Sequence, residues 1–353
     1  MKILHITIGI GVGGVATFIE ELLEDLSKEN EVTLVCFEKN IEKYREEKLK
    51  NVNIIFFNQT SMYSLKNIFR LRKLIKENDI IHSHLFPVQY ITVIASLFLN
   101  KKFITTEHTT WNNRRKYNIF KVIDRLFYMK YNKIIGVSEA AKINLQNWTK
   151  IKDKIIAIPN GVDLEKYKNA KDIKNELWDL KENEKLICMV ARFSKQKDQK
   201  TLIRAMKLLP DEVKCIFVGI GETLEYVKEY VEKNNLENRI KFLGYRNDVK
   251  DILNSVDLNI LSTNYEGLPF IILETLATGT LMLGSKVEGV DEILKYDEFL
   301  FEKGNEKELV KKIENLLYDR TLIKSSKEKI NEIIKEYSLN KMIMEYKKIY
   351  LED

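Results

Sequence analysis

Glu266 and Glu274 stand eight residues apart in NYEGLPFIILETLATG. A carboxylate accepts hydrogen bonds from two hydroxyls at once, so two of them suit a polyhydroxylated ligand. Pro269 favours a helix start there, which predicts a helix from about Pro269 to Thr278. Its first-turn amides and positive end would face an anion. Glu266 would then lie beside that anion, and Glu274, in the second turn, would reach a neighbouring group such as ribose hydroxyls. Upstream, Arg192 ends the apolar run LICMVAR and Lys197 follows five residues later in ARFSKQK. Two cations on a loop above a strand end can neutralise a diphosphate, the arginine bidentately and the lysine as a point charge. Each feature also has a plain reading, solvated loop charge for the cations and helix-start acids for the glutamates.

A second site candidate is Gly9-Ile10-Gly11-Val12-Gly13-Gly14, which satisfies G-x-G-x-x-G between an apolar strand and a helix. Glu38, at the end of the next strand, stands near where a ribose-binding acid belongs, as in a dinucleotide site. A glycine turn before a helix also suits any other bound anion, a close substrate approach, or simply a tight turn.

These residues need elements to hold them. Residues 2–9, 31–37, 53–57, 79–84, 102–108, 133–138 and 154–159 read as short apolar strands alternating with helices, among them 15–28, 87–99 and a long basic helix over 114–133. The pattern restarts with strands at 186–192, 213–221, 239–244, 258–262 and 280–285, and closes with helices over 306–318, 321–336 and 340–351. Such alternation predicts parallel sheets covered on both faces. The expected architecture is two doubly wound, Rossmann-like domains, 1–164 and 165–337, with 338–353 crossing back to the first and the ligand in a cleft between them. The lysine-rich stretch 165–185 carries no sustained pattern and reads as a linker.

A chain of 353 residues, 44% hydrophobic and 31% charged, can fill two cores and is not disordered. Cys36, Cys188 and Cys215 share no metal-ligand spacing and point to a reducing compartment. Met1-Lys2 and the apolar run behind it resemble a signal peptide only faintly, without a small-residue cleavage site, and read as a first strand. The longest apolar run, Val88 to Leu99, is about half of a membrane span. The expectation is a cytoplasmic protein. Charge is uneven: residues 1–160 hold 25 Lys/Arg against 16 Asp/Glu, whereas 161–353 hold 33 against 36. Residues 65–76 and 114–133 concentrate it, with apolar side chains at helical spacing among the cations. That is the pattern of helices resting on an anionic membrane surface, with Arg114, Arg115 and Lys116 among the contacts, and equally of ordinary amphipathic helices with snorkelling lysines. No nucleic-acid partner is expected.

Taken together, Arg192/Lys197 and the E-x7-E pair resemble the retaining GT-B glycosyltransferases of family GT4. The resemblance spans nearly the whole chain: Gly13-Gly14, IIHSHLF, TEHTT ending at Thr110, VSEAAK, IPNGVDLEKY, FVGIGE and KFLGYRNDV all have counterparts there. It implies a GT-B fold and transfer of a hexosyl group from a nucleotide sugar, UDP-linked by preference, to a hydroxyl of a glycan or lipid-linked acceptor in surface polysaccharide or glycolipid synthesis. On this resemblance Arg192 and Lys197 bind the diphosphate and stabilise the leaving group. Glu274 holds the ribose, Glu266 the donor sugar, and Gly267, Leu268 and Phe270 offer amides beside sugar and phosphate. His108 would lie against the sugar, Gly13-Gly14 near the phosphate, and Gly244-Tyr245-Arg246 around the base. His84 and Thr109, with His82, would line the acceptor side, a structural role being an equal reading for the two histidines.

The chain departs from the family at GTLMLGSKVEGVDEIL, where Lys286 stands in place of a common aspartate and leaves the roles around 285–289 open. No D-x-D occurs, so the expected enzyme uses no metal and no cofactor. The resemblance further implies front-face attack with retention. Competing readings are a nicotinamide oxidoreductase using Gly9–Gly14 and a nucleotide-sugar epimerase or hydrolase on the same scaffold.

Overall fold

The computed structural model describes residues 1–11, 13–41, 43–57 and 61–352. The chain forms two compact units, Met1–Asn160 with Leu339–Asp353, and Gly161–Ser338.

In the first unit the strands β1 (Lys2–Thr7), β2 (Glu31–Cys36), β3 (Asn53–Phe56), β4 (Ile80–His84), β5 (Lys102–Glu107), β6 (Lys133–Gly136) and β7 (Ile155–Ala157) form one parallel sheet. Their order is β3-β2-β1-β4-β5-β6-β7. Such a sheet is covered on both faces and needs continuous apolar strands; β4 is buried at every position, and Leu4, Ile6, Val35, Ile81 and Phe103 meet in one core. The order reverses between β1 and β4. Loops leaving those two strands run apart at their carboxyl ends, the place where doubly wound sheets bind ligands. The glycine run follows β1, and His84 ends β4. Register pairs His5 with His82 and His84 with Thr106, so alternate side chains bring them to one face.

The second unit repeats the design. Strands β8 (Lys185–Val190), β9 (Val213–Val218), β10 (Ile240–Phe242), β11 (Leu258–Leu261), β12 (Leu281–Ser285) and β13 (Leu300–Phe301) are parallel in the order β10-β9-β8-β11-β12-β13. The reversal falls between β8 and β11, the strands followed by Arg192–Lys197 and by Glu266.

Three expectations need correction. Residues 165–185 are no loose linker: helices Leu164–Lys168 and Lys174–Leu177 occur there, and Leu177 and Trp178 pack into the second core. The units divide after Asn160, not after 164, and the returning tail begins at Leu339. The long basic helix is broken into a 3-10 turn, Asn113–Lys116, and a helix, Ile119–Tyr128, with Tyr117 extended between them. All three cysteines are buried thiols; burial pushes Cys36 up to about 12.

Candidate functional site

In the second unit the two loops at the reversal are stitched together. Asp198 N donates to the Ser262 carbonyl at 3.0 Å and Asn264 N to the Gln196 carbonyl at 2.8 Å. Lys197 therefore comes to Glu266, and the two form a mostly buried ion pair. The same carboxylate accepts from Thr263 Oγ1 at 2.7 Å and from Gln196 Nε2 at 3.3 Å. Gly267, Leu268 and Phe270 are buried behind it. The helix Phe270–Ala277 starts with Pro269 as its N-cap and no side-chain cap, which leaves first-turn amides for an anion. Glu274, in the second turn, accepts from the Tyr167 hydroxyl at 2.8 Å. Arg192 is exposed just past β8.

Glycine backbone holds this end of the sheet. A Cβ on Gly219 would meet the Ala191 carbonyl at 2.1 Å, and one on Gly289 (φ +81) the Gly267 carbonyl at 2.2 Å. The departure region thus serves the site from behind: its turn closes on Gly267. Lys286 itself is exposed, 3.3 Å from Glu302. At the β10 end, Gly244 has φ +64, Tyr245 is partly exposed, and Arg246 Nε donates to Asp248 at 2.7 Å. Sequence reasoning missed Tyr167 and Gln196, although Tyr167 closes the recognised run IPNGVDLEKY.

In the first unit the glycine run divides into two parts, and Val12 lies outside the described residues. A Cβ on Gly9 would meet Asn40 Oδ1 at 2.0 Å, and one on Gly11 the Asn40 carbonyl at 2.8 Å. These glycines make room for Asn40, which also donates to Glu38 at 3.2 Å. Gly13 differs: φ is +121 and nothing lies within 4 Å of its missing Cβ, so open backbone begins the helix Gly14–Leu26.

All four histidines of the chain gather beside this loop. His5, His82 and His84 are fully buried, and His108 is half-buried at the end of β5. His5 Nδ1 lies 3.0 Å from His84 Nε2, and His84 Nδ1 3.3 Å from His108 Nε2. His82 contacts Tyr350 Oη at 2.6 Å and Thr106 Oγ1 at 2.8 Å. Burial, with no acid alongside, pushes His5 down to about 3 and His82 and His84 well below the usual range. His84 is buried with both nitrogens engaged inside the unit, which is the structural role the sequence also allowed. Thr109 closes a local turn, donating to the Trp111 carbonyl at 2.8 Å. Among the described residues His5, His82 and His84 are the one group whose ligand atoms, within 4.8 Å of one another, could surround a metal ion. A dication there would be buried without any carboxylate, and the nitrogens already satisfy one another.

The basic segments are rearranged. Arg114 is buried against Asp124 (3.0 and 3.1 Å), which also accepts from Trp148 Nε1 at 2.6 Å and from the Tyr90 hydroxyl. Arg115 donates to the Thr110 carbonyl at 2.9 Å and lies 3.7 Å from Glu107. Neither arginine is a surface contact, which corrects that expectation. With Asp124 and Tyr128 turned inward, the Ile119–Tyr128 helix presents Ile119, Val122 and Leu126 outward, each about 60% exposed. Lys116, Lys121 and Arg125 are exposed around them. No helix among the described residues is long and apolar enough to cross a membrane.

Comparison with known proteins agrees with this layout. The family model described as "Glycosyltransferase Family 4" matches residues 12–166, and that described as "Glycosyl transferases group 1" matches residues 170–337. The UDP-Gal:alpha-D-GlcNAc-diphosphoundecaprenol alpha-1,3-galactosyltransferase of Escherichia coli is 27% identical across all of this chain and 97% of its own. A Campylobacter jejuni enzyme, N-acetylgalactosamine-N,N'-diacetylbacillosaminyl-diphospho-undecaprenol 4-alpha-N-acetylgalactosaminyltransferase, is 27% identical over 68% of this chain and 67% of its own. Among solved structures, Anabaena Alr3699/HepE, crystallised with UDP and glucose, superposes with a TM-score of 0.89 at 20% identity over 99% of both chains. The two doubly wound units are those of the GT-B fold.

Proposed function

The chain belongs to the family 4 glycosyltransferases, and we propose that it moves a hexosyl group from a UDP-sugar to a hydroxyl of a lipid-linked or glycan acceptor, with retention and without a metal. The observation that carries this reading is the lock of Glu266 by Lys197, Thr263 and Gln196 beside an uncapped helix start, with Glu274 held one turn further on. An ammonium has three N–H donors; one serves Glu266 and the others reach the diphosphate. Arg192 adds a bidentate contact, and the helix start a positive end, where charge develops on the leaving group. Glu274, oriented by Tyr167, takes the ribose hydroxyls.

Glu266, already bound by three donors, is a poor nucleophile and a good anchor for sugar hydroxyls. The acceptor hydroxyl then attacks C1 on the face the diphosphate leaves. The C1–O bond to phosphate breaks, the new C1–O bond forms, and the hydroxyl proton passes to the leaving phosphate oxygen. The relatives named for diphosphoundecaprenol substrates support a lipid-linked acceptor. The outward apolar ridge at 119–126, ringed by lysine and arginine, would rest on an anionic bilayer where such an acceptor resides.

Calorimetric titration with UDP, GDP, ADP and NAD, with and without magnesium, tests the site. Micromolar binding of UDP unchanged by magnesium is expected. Binding of NAD alone would return the site to the glycine run, and magnesium-dependent binding would end the metal-free mechanism. Proton NMR of the first product formed tests retention by its anomeric coupling.

A further inference from the structure

A run of hydrogen bonds crosses the interior of the first unit unbroken. Thr106 Oγ1 lies 2.8 Å from His82 Nε2, His82 Nδ1 2.6 Å from Tyr350 Oη, and Tyr350 Oη 3.3 Å from His5 Nε2. His5 Nδ1 lies 3.0 Å from His84 Nε2, and His84 Nδ1 3.3 Å from His108 Nε2. Only His108 Nδ1 stands outside the run. The rings of Phe18, 4.9 Å from His108, and Tyr346, 5.9 Å from His82, wall it off.

A neutral imidazole has one N–H and one lone pair, and every link holds one proton. Within each imidazole the direction of one link therefore fixes the other, and Tyr350 has a single proton to give to one of its two histidines. Tyr350 sets the choice. A phenol is a far stronger proton donor than neutral imidazole, so the 2.6 Å link is its O–H donating to His82 Nδ1. The longer contact is its oxygen accepting from His5 Nε2–H. His5 Nδ1 then accepts from His84, and His84 Nδ1 accepts from His108 Nε2–H.

We propose that Tyr350, His5 and His84 are positioning residues that hold His108 as its Nε2-protonated tautomer, so that its remaining nitrogen meets a ligand as a hydrogen-bond acceptor. Such a nitrogen takes a sugar or acceptor hydroxyl and turns away a phosphate oxygen. The ligand half of this rests on the reading of His108 as a substrate contact; the tautomer half does not.

Two-bond proton–nitrogen correlation on the histidine-labelled intact protein at pH 7.5 reads the tautomers directly, with His108→Asn assigning the resonances. The wild type should show His108 protonated at Nε2 alone. Tyr350→Phe keeps the ring and deletes the deciding hydroxyl; His108 should then populate both tautomers. KM for UDP-sugar should rise about two- to tenfold, the worth of one neutral hydrogen bond, with kcat changed less. A purely structural Tyr350 would move the melting midpoint and leave the tautomer alone. His108 found protonated at Nδ1, or as imidazolium, overturns the proposal, as does a tautomer indifferent to Tyr350→Phe. Zinc that shifts the His5, His82 and His84 resonances together overturns it in favour of a metal site. A tautomer that shifts while KM stays put overturns the ligand half alone. Should Tyr350→Phe fail to fold, the wild-type spectrum decides.

Discussion

Arg192 and Lys197 carry the same charge into different surroundings. Lys197 is mostly buried and already bound to Glu266, whereas Arg192 is exposed. Removing Arg192 leaves no buried charge behind, so Arg192→Ala should fold normally and lose about a hundredfold in kcat/KM, the scale of one electrostatic contact to developing charge. Near-normal turnover would remove it from the site. Tyr167→Phe deletes one hydroxyl from Glu274 and should weaken UDP about two- to tenfold by calorimetry. Arg192, Lys197, Glu266 and Glu274 stood out in the sequence because loop cations and paired acids at a helix start have few other uses together. Tyr167, Gln196 and His5 were not, because their partners lie 107, 70 and 79 residues away in sequence. The histidines also govern acid stability. His5, His82 and His84 stay neutral in the fold far below the pH at which an unfolded imidazole takes its proton, near 6.5. The unfolded chain thus binds more protons over that window. Stability should be full above about pH 7 and fall as pH drops below 6.5, the His5 contribution being lost progressively down to about 3. Melting midpoints unchanged between pH 7 and 5 would contradict this.

Most strands could be read from sequence to within two or three residues, since a parallel strand buried on both faces is an unbroken apolar run. The Ile119–Tyr128 helix could not. Its charge and apolar spacing were visible, but which side faced inward was decided by Asp124, a buried acid whose partners Arg114, Trp148 and Tyr90 come from separate segments. The outcome is a helix with a salt bridge inside and leucine outside. Two variants separate the roles of its faces. Val122→Glu with Leu126→Glu should leave the melting midpoint within a degree or two and sharply reduce sedimentation with anionic vesicles; undiminished sedimentation would mean that the ridge does not touch lipid. Asp124→Asn should cost about 3–5 kcal/mol, because it strands a buried arginine, and denaturant titration reads that directly.

Across the whole molecule, the two units share one strand order about the reversal, the first with one strand more, yet only one is built from contiguous chain. The second runs from Gly161 to Ser338 without interruption; the first needs Leu339–Leu351 to complete it. Truncation after Ser338 should therefore preserve UDP affinity within a few-fold by calorimetry while abolishing the cooperative melting of the first unit. Loss of both would show that the units do not fold separately.

That dependence has a consequence on the ribosome. Tyr346 and Tyr350, which cover His82 and His5, are synthesised only after the whole second unit. At roughly 5–20 residues per second, the 178 residues of Gly161–Ser338 take on the order of 10–35 s to emerge. Through that interval the nascent first sheet waits with its most buried imidazoles open to water, a client for chaperones until the Leu339–Leu351 helix leaves the exit tunnel.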